Sequence, residues 1–312
     1  MEKTAKILVM HPEMQTLFPN KPKRWEFIEV LDDIDKTISE LGATVDVLLS
    51  ASIEKLDKEM LDRLPNLKMI ASISAGFSNV DLDECRARKI SVTNAPGLNS
   101  GDVADVAVTM MTSLLLNFPQ NHQYIMTDQW ITKSAFVRHS IRKMPIGIVG
   151  LGSIGKEVVK RLEPFGVDIK WWGPRQKPEI PYPYFSSLEE LAKQCRGLIV
   201  CCRPDQSTYH LINEKILDQL GSDGVVVNVS RGNVVDQKAL IAYLKAQKIA
   251  GAGLDVFDPE PTNSSTWTDV PNIILSPHQG GATFETLFAQ AQIAQNNIEN
   301  YLDGKPLLTS IF

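Results

Sequence analysis

Four short segments of this chain carry residue types at spacings that could do chemistry. The first, Gly147-Ile148-Val149-Gly150-Leu151-Gly152-Ser153-Ile154-Gly155, is an apolar run closed by G-x-G-x-x-G, with Val158, Val159 and Leu162 following at helical spacing. In a strand-turn-helix context each glycine has its own task. Gly150 makes the tight turn, Gly152 lets main chain approach a pyrophosphate, and Gly155 lets the helix pack on the strand. The helix N-terminus then offers N–H groups to phosphates, so the segment predicts dinucleotide binding. The second segment, Asn228 to Asp236, sets Arg231 at the end of an apolar run, where a planar guanidinium can hold a carboxylate or polarise a ketone. The third, Leu254 to Pro261, supplies Asp255 and Glu260, and the fourth, Ser276 to Gly281, supplies His278. All three fall where strands end, and ligands of open α/β sheets bind beyond the carboxyl ends of strands.

The nucleotide itself is addressed by a fifth stretch. An acidic residue about 20 positions past the glycines would grip the ribose hydroxyls of NAD. Here Asp168-Ile169-Lys170-Trp171-Trp172 gives way to Gly173-Pro174-Arg175-Gln176-Lys177, and Gly173 stands 18 positions after Gly155. The expected carboxylate is missing. A glycine removes a repulsive charge, and Arg175 and Lys177 can pair with a 2′-phosphate, which favours NADPH and keeps NADH as the alternative. A solvated basic loop is the other reading of the same residues.

These segments need a scaffold, and the pattern of apolar runs supplies one. Lys6 to Met10, Val45 to Leu49, Lys68 to Ile73 and Ile90 to Val92 alternate with amphipathic stretches. A second series runs through Ile146 to Val149, Val167 to Trp172, Gly197 to Cys202, Gly224 to Val229, Gly251 to Val256 and Asn272 to Leu275. Near-continuous apolar strands alternating with helices predict parallel sheets covered on both faces, hence two doubly wound α/β domains. The stretch Asp102 to Leu116 reads as a helix between the series. Thr283 to Leu302 reads as a last helix with Leu287, Ala291, Ala294, Ile298 and Leu302 near one face, and it is expected to return to the first domain.

Length and composition agree. The 312 residues suffice for two cores, and 43% hydrophobic with 22% charged residues is ordinary globular composition. A net charge of -5 gives no general footprint for nucleic acid, and no run reaches the roughly 18 apolar residues of a membrane span. The four cysteines, Cys85, Cys195, Cys201 and Cys202, show no C-x-x-C pair, which suits buried free thiols in a reducing, cytoplasmic setting and argues against a metal site.

The chain resembles the D-2-hydroxyacid dehydrogenase family in Ser74-Ala75-Gly76-Phe77-Ser78-Asn79-Val80-Asp81, Val92 to Gly97, Val103-Ala104-Asp105, the glycine motif, Ser230-Arg231-Gly232, Leu254 to Pro261 and His278. The resemblance implies a flavodoxin-like substrate-binding domain, residues 1–98 plus 286–312, split by a dinucleotide-binding domain, residues 99–285. It also implies a homodimer built around the nucleotide domain. By the same resemblance His278 matches the acid-base histidine, Glu260 its carboxylate partner and Arg231 the substrate-orienting arginine. The N–H groups of Ala75 and Gly76 match a carboxylate-binding loop, and Asp255 matches a contact to the nicotinamide amide. Ser153, Ile154, Cys202, Val229 and Gly280 would line the rest of the cofactor path. A histidine beside a carboxylate is a suitable acid near neutral pH for a 2-keto acid that takes a hydride at C2.

Some positions depart from the family or stay open. Ser153 is shorter than the polar or basic side chain relatives carry there, Asp105 replaces a more usual glutamate, and Arg203 is either a second 2′-phosphate partner or structural. Loops of about 12 to 20 and 50 to 56, with Phe77, Leu98 and Trp130, are expected to shape the substrate pocket, Trp130 from the dimer mate. His11, His122, His139 and His210 read as surface or core fillers, and Trp171 and Trp172 as strand packing. The expected activity is reduction of a small 2-keto acid such as glyoxylate, hydroxypyruvate or 2-ketogluconate. Alternatives are formate or phosphite oxidation and a nucleotide-sensing protein of the corepressor type. The first is disfavoured by the Glu260–His278 pairing, the second by the presence of Arg231, Glu260 and His278 together.

Overall fold

The computed structural model describes residues 4–31, 33–51, 54–77, 79–134 and 137–312. They divide into two compact units, residues 1–99 with 282–312 and residues 100–281. Among the described residues the first unit contains β1 (Ala5–Val9), β2 (Trp25–Phe27), β3 (Val47–Ser50), β4 (Met69–Ser72) and β5 (Ser91–Thr93). Their order is β2-β1-β3-β4-β5, with every pairing parallel.

Strand periodicity explains how this sheet is buried on both faces. Ile7, Val9, Val47, Leu49, Met69 and Ala71 point to one core, where Ala291, Ala294, Ile298 and Leu302 of the Phe284–Asp303 helix meet them. Leu8, Leu48 and Ile70 point to the opposite core with Ile38, Leu61, Leu64 and Cys85. The last helix therefore packs on the N-terminal sheet. The strand β2 was not foreseen, because its three residues follow the charged run Lys21 to Arg24 and Glu26 interrupts their apolar pattern. It is held from outside the run: Trp25 Nε1 donates to Glu299 (2.8 Å), and Arg24 pairs with Glu299 (2.8 Å) and Asp303 (2.7 Å).

The second unit contains β6 (Pro145–Val149), β7 (Asp168–Trp172), β8 (Tyr184–Phe185), β9 (Gly197–Val200), β10 (Val225–Asn228), β11 (Gly251–Leu254) and β12 (Ile273–Leu275). Among the described residues they form one parallel sheet in the order β12-β11-β10-β9-β6-β7-β8. Val149, Leu198, Val200, Val226, Ala252 and Leu254 enter one core with Leu191, Leu217 and Leu240. Ile146, Ile148, Ile199, Val225 and Val227 enter the other, with Ala107 and Met111 of the Ser100–Leu115 helix and Val158, Val159 and Leu162 of the Ser153–Leu162 helix. The fold is α/β with two Rossmann-like parallel sheets.

Trp171 is fully buried and its Nε1 donates to Tyr182 O (3.2 Å), so it is strand packing as read from sequence. One expectation needs correction: Cys85, Cys195 and Cys201 are buried free thiols, but Cys202 is only half-buried, because it follows the end of β9, where the sheet opens to the glycine turn. Among the described residues no helix is long and apolar enough to cross a membrane.

Candidate active site

In the second unit the strand order reverses between β6 and β9, and such a switch point is where open α/β sheets hold ligands. The turn after β6 occupies it. Gly150 has φ +95, a region L side chains rarely enter, and a Cβ there would lie 2.4 Å from Cys202 Cα. A Cβ on Gly155 would lie 2.3 Å from the Gly150 carbonyl, so helix and turn touch only because both are glycines. Gly152 is different. It has φ -86, and a Cβ there would meet nothing within 4 Å. It is the N-cap of the Ser153–Leu162 helix, with no side chain capping that end. Neither protein packing nor left-handed backbone calls for a glycine at this point. The open space in front of uncapped helix N–H groups fits a dinucleotide pyrophosphate.

The rim of this turn holds the other predicted cofactor residues. Ser153 is exposed and Ile154 half-buried, while Val229 is buried behind them at the end of β10. Cys202 O accepts from Ser230 Oγ (2.7 Å), which ties the end of β9 to the arginine loop. After β7, Gly173 is buried and its carbonyl accepts from Tyr184 Oη (3.1 Å). The two cations that follow differ. Lys177 Nζ donates to Leu151 O (2.6 Å), between the first two motif glycines, whereas Arg175 and Arg203 are exposed. Asp105 pairs with Arg161 (2.6 Å) on the glycine-motif helix.

The catalytic candidates lie in the loops that follow β10, β11 and β12. Asn228, fully buried, shapes the turn after β10: its Oδ1 accepts from Ser230 N (3.0 Å) and its Nδ2 donates to Arg231 O (2.9 Å). Arg231 Nη1 in turn donates to Ser230 O (2.8 Å). Burial pushes the Arg231 guanidinium below its ordinary pKa, against the opposing pull of the Glu260 charge. Gly232 touches the next loop directly, since a Cβ there would fall 1.9 Å from the Phe257 carbonyl group.

Glu260 is anchored twice. Its Oε1 accepts from Phe257 N (2.8 Å) and its Oε2 lies 2.6 Å from His278 Nδ1. Burial pushes the Glu260 carboxyl up, but the His278 hydrogen bond, the Phe257 N–H and the charges of His278 and Arg231 outweigh it and hold the group below the usual carboxylate range. His278 has φ +54, an unfavourable conformation for a residue with a side chain, and the following residues enforce it. Gln279 N and Gly280 N donate to the two oxygens of Asp255 (3.0 and 2.9 Å), a carboxylate only 2% exposed. A Cβ on Gly280 would lie 2.6 Å from Asp255 Oδ2, so the loop closes on Asp255 only with glycine there. Asp255 thus clamps the histidine loop to the end of β11.

Sequence reasoning missed Gln237. Its carboxamide grips both main-chain groups of Asp258, Nε2 to Asp258 O (3.1 Å) and Asp258 N to Oε1 (3.2 Å), and so fixes the loop that carries Glu260. Nothing in its type or spacing announces this.

In the first unit Ala75 and Gly76 lie just beyond β4. Asn94 Nδ2 donates to Ala75 O (2.7 Å) and Ser74 Oγ to Gly76 O (3.0 Å), which orients both peptide planes. Ser78 of the same segment, and Ser52 and Ile53 of the expected pocket loop 50 to 56, lie outside the described residues. Trp130 is 65% exposed on a short helix, close in sequence to exposed Phe118, Ile125, Met126 and Ile131.

Comparison with known proteins gives this site its context. Residues 108–280 match the profile of the D-isomer specific 2-hydroxyacid dehydrogenase, NAD binding domain. A glyoxylate/hydroxypyruvate reductase of Arabidopsis thaliana is 39% identical over 254 residues, covering 81% of this chain and 79% of the relative. A 2-ketogluconate reductase of Gluconobacter oxydans is 35% identical over 253 residues, covering 81% and 82%. Among solved structures, an NADPH-dependent glyoxylate/hydroxypyruvate reductase of Sinorhizobium meliloti in complex with NADP and malonate has a TM-score of 0.86 at 30% identity, covering 99% of this chain and 97% of that one.

Proposed function

Since the chain belongs to the D-isomer specific 2-hydroxyacid dehydrogenase family and is an NAD(P)-dependent 2-keto acid reductase, we propose that it reduces a small keto acid of the glyoxylate, hydroxypyruvate or 2-ketogluconate type, using NADPH. The observation that carries the reading is the His278–Glu260 pair at 2.6 Å, with the Glu260 loop packed against that of Arg231. In this reading Arg231 holds the substrate carboxylate. Arg231 also stabilises charge growing on the keto oxygen, for which an arginine with few competing waters is well suited. His278 gives its proton to that oxygen, and Glu260 orients the ring and balances its charge. The reduced nicotinamide, when bound, supplies the hydride to C2.

The residues around the glycine turn would hold the cofactor: Gly150, Gly152 and Gly155 with the helix N-terminus on the pyrophosphate, and Ser153, Ile154, Cys202, Val229 and Gly280 along its length. Asp255 would reach the nicotinamide amide while clamping the His278 loop. Arg175 would take the 2′-phosphate. We place the protein in a reducing, cytoplasmic compartment, consistent with four unpaired cysteines. As a second-subunit interface we propose the exposed apolar residues Phe118, Ile125, Met126, Trp130 and Ile131, an unusual concentration for a surface.

A panel of glyoxylate, hydroxypyruvate and 2-ketogluconate with NADPH and NADH, followed by loss of reduced-nicotinamide absorbance, tests this reading. Turnover of at least one with NADPH is expected, and no turnover of any overturns it. Glu260→Gln sharpens the test. The amide can no longer accept from Phe257 N and balance the charge of the imidazole at the same time, so kcat for keto-acid reduction should fall by about tenfold or more while NADPH affinity stays unchanged. An unchanged kcat would remove Glu260 from the pair.

A further inference from the structure

Arg231 and Gln237 stand at the two ends of one short segment. After β10 the chain passes from Arg231 through the turn Gly232–Val234, and Gln237 opens the Gln237–Lys245 helix, which Asp236 caps by accepting from Ala239 N (3.0 Å). A neighbouring stretch ties this segment down: His210 N donates to Asn233 O (2.9 Å), Ile212 N to Val234 O (3.0 Å) and Asp236 N to Ile212 O (2.9 Å). The segment is thus a fixed base for what its side chains hold.

The Glu260 loop has fewer means of its own. Pro259 and Pro261 bring no N–H, so the main chain around Glu260 is poor in donors. Phe257 N donates to the Glu260 side chain (2.8 Å), and Asp258 N donates to Gln237 Oε1 (3.2 Å). Gln237 Nε2 returns a bond to Asp258 O (3.1 Å), so one carboxamide pairs with both groups of a residue as a neighbouring strand would. Gly232 meets Phe257 where only a glycine fits. Two points of contact, Gly232 on Phe257 and Gln237 on Asp258, fix a register where one would leave a pivot. Arg231 and Glu260 are close enough for each to feel the other's charge.

Gln237 is not there to fill a core. It is half-buried and lines an open groove of about 500 Å³ with His210, Asp236, Asp258 and Ile241. Its two bonds to Asp258 are what the position supplies.

We propose that Gln237 is a positioning residue of the reduction, holding the Glu260 loop in register with Arg231 so that the carboxylate stays on His278 while the guanidinium holds the keto acid. The inference rests on the proton-donor reading of His278 and Glu260 given above. Gln237 acts through Asp258 and takes no part in the chemistry itself.

Gln237→Met keeps the length of the side chain and loses both bonds. Its kcat for keto-acid reduction should fall about tenfold, with NADPH affinity and melting temperature close to the parent's. Gln237→Glu still accepts from Asp258 N but turns a second oxygen toward Asp258 O, so it should lower kcat at least as far. Parental activity in Gln237→Glu would mean that shape alone matters, and would overturn the assignment. A double-mutant cycle with Glu260→Gln separates positioning from general loosening. Acting through Glu260, Gln237→Met should cost no more than about twofold in that background, whereas a loosened domain loses the same factor in both. Equal losses in the two backgrounds, a matching fall in NADPH affinity or melting temperature, or an unchanged kcat in Gln237→Met alone overturns the proposal. His278→Ala keeps the two readings apart. If it leaves turnover intact, the proton-donor reading fails and the Gln237 role with it; if it abolishes turnover while Gln237→Met changes nothing, only the Gln237 assignment fails.

Discussion

His278→Ala should lower kcat for keto-acid reduction by about 10²- to 10⁴-fold, the usual worth of a positioned general acid, while the dissociation constant for NADPH stays within a few fold. The separation follows from how the loop is built. Gln279 and Gly280 hold Asp255 through main-chain N–H groups, and these do not depend on the imidazole. Alanine at φ +54 is no better placed than histidine, so the variant gains no relief of backbone strain. The glycine turn proposed for the pyrophosphate follows β6, away in sequence and on another strand. Pre-steady-state reduction and fluorescence titration of NADPH separate the two effects. A variant within threefold of the parent in kcat would remove His278 as the proton donor.

The relation of sequence to structure is uneven, and physical reasons account for it. Sheets buried on both faces write themselves as apolar runs, so Ile7 to Val9 and Ile146 to Val149 were legible as strands without help. The glycine turn was legible because two of its three glycines meet steric demands that no other residue can satisfy. The His278–Glu260 contact was not readable from spacing. Its partners sit 18 residues apart after different strands, and the pairing was anticipated only through family resemblance. The supporting bonds were wholly silent: Asn228 and Gln237 act through carboxamides on main-chain groups, and such bonds impose no period and no neighbour on the sequence.

NADPH should bind more tightly than NADH by roughly 10- to 100-fold, the affinity change that one charge-assisted contact to a 2′-phosphate, about 1.5–3 kcal/mol, can provide. The end of β7 argues for it. Gly173 presents no carboxylate to repel the phosphate or to grip a bare ribose. Of the cations that follow, Lys177 already spends one hydrogen bond on Leu151 O at 2.6 Å, so its ammonium sits against the glycine turn, whereas Arg175 stands exposed with its planar fork available to a ligand. Exposure also works against the contact, because salt screens a charge on a surface loop, and the selectivity should therefore shrink as ionic strength rises. Titrating both nucleotides into the parent, Arg175→Ala and Lys177→Ala at low and high salt resolves the competition. Arg175→Ala should lower the NADPH/NADH affinity ratio by about tenfold, the larger effect of the two variants. Equal affinities in the parent would overturn the preference. A ratio that survives Arg175→Ala and collapses in Lys177→Ala would move the phosphate onto the lysine beside the glycine turn.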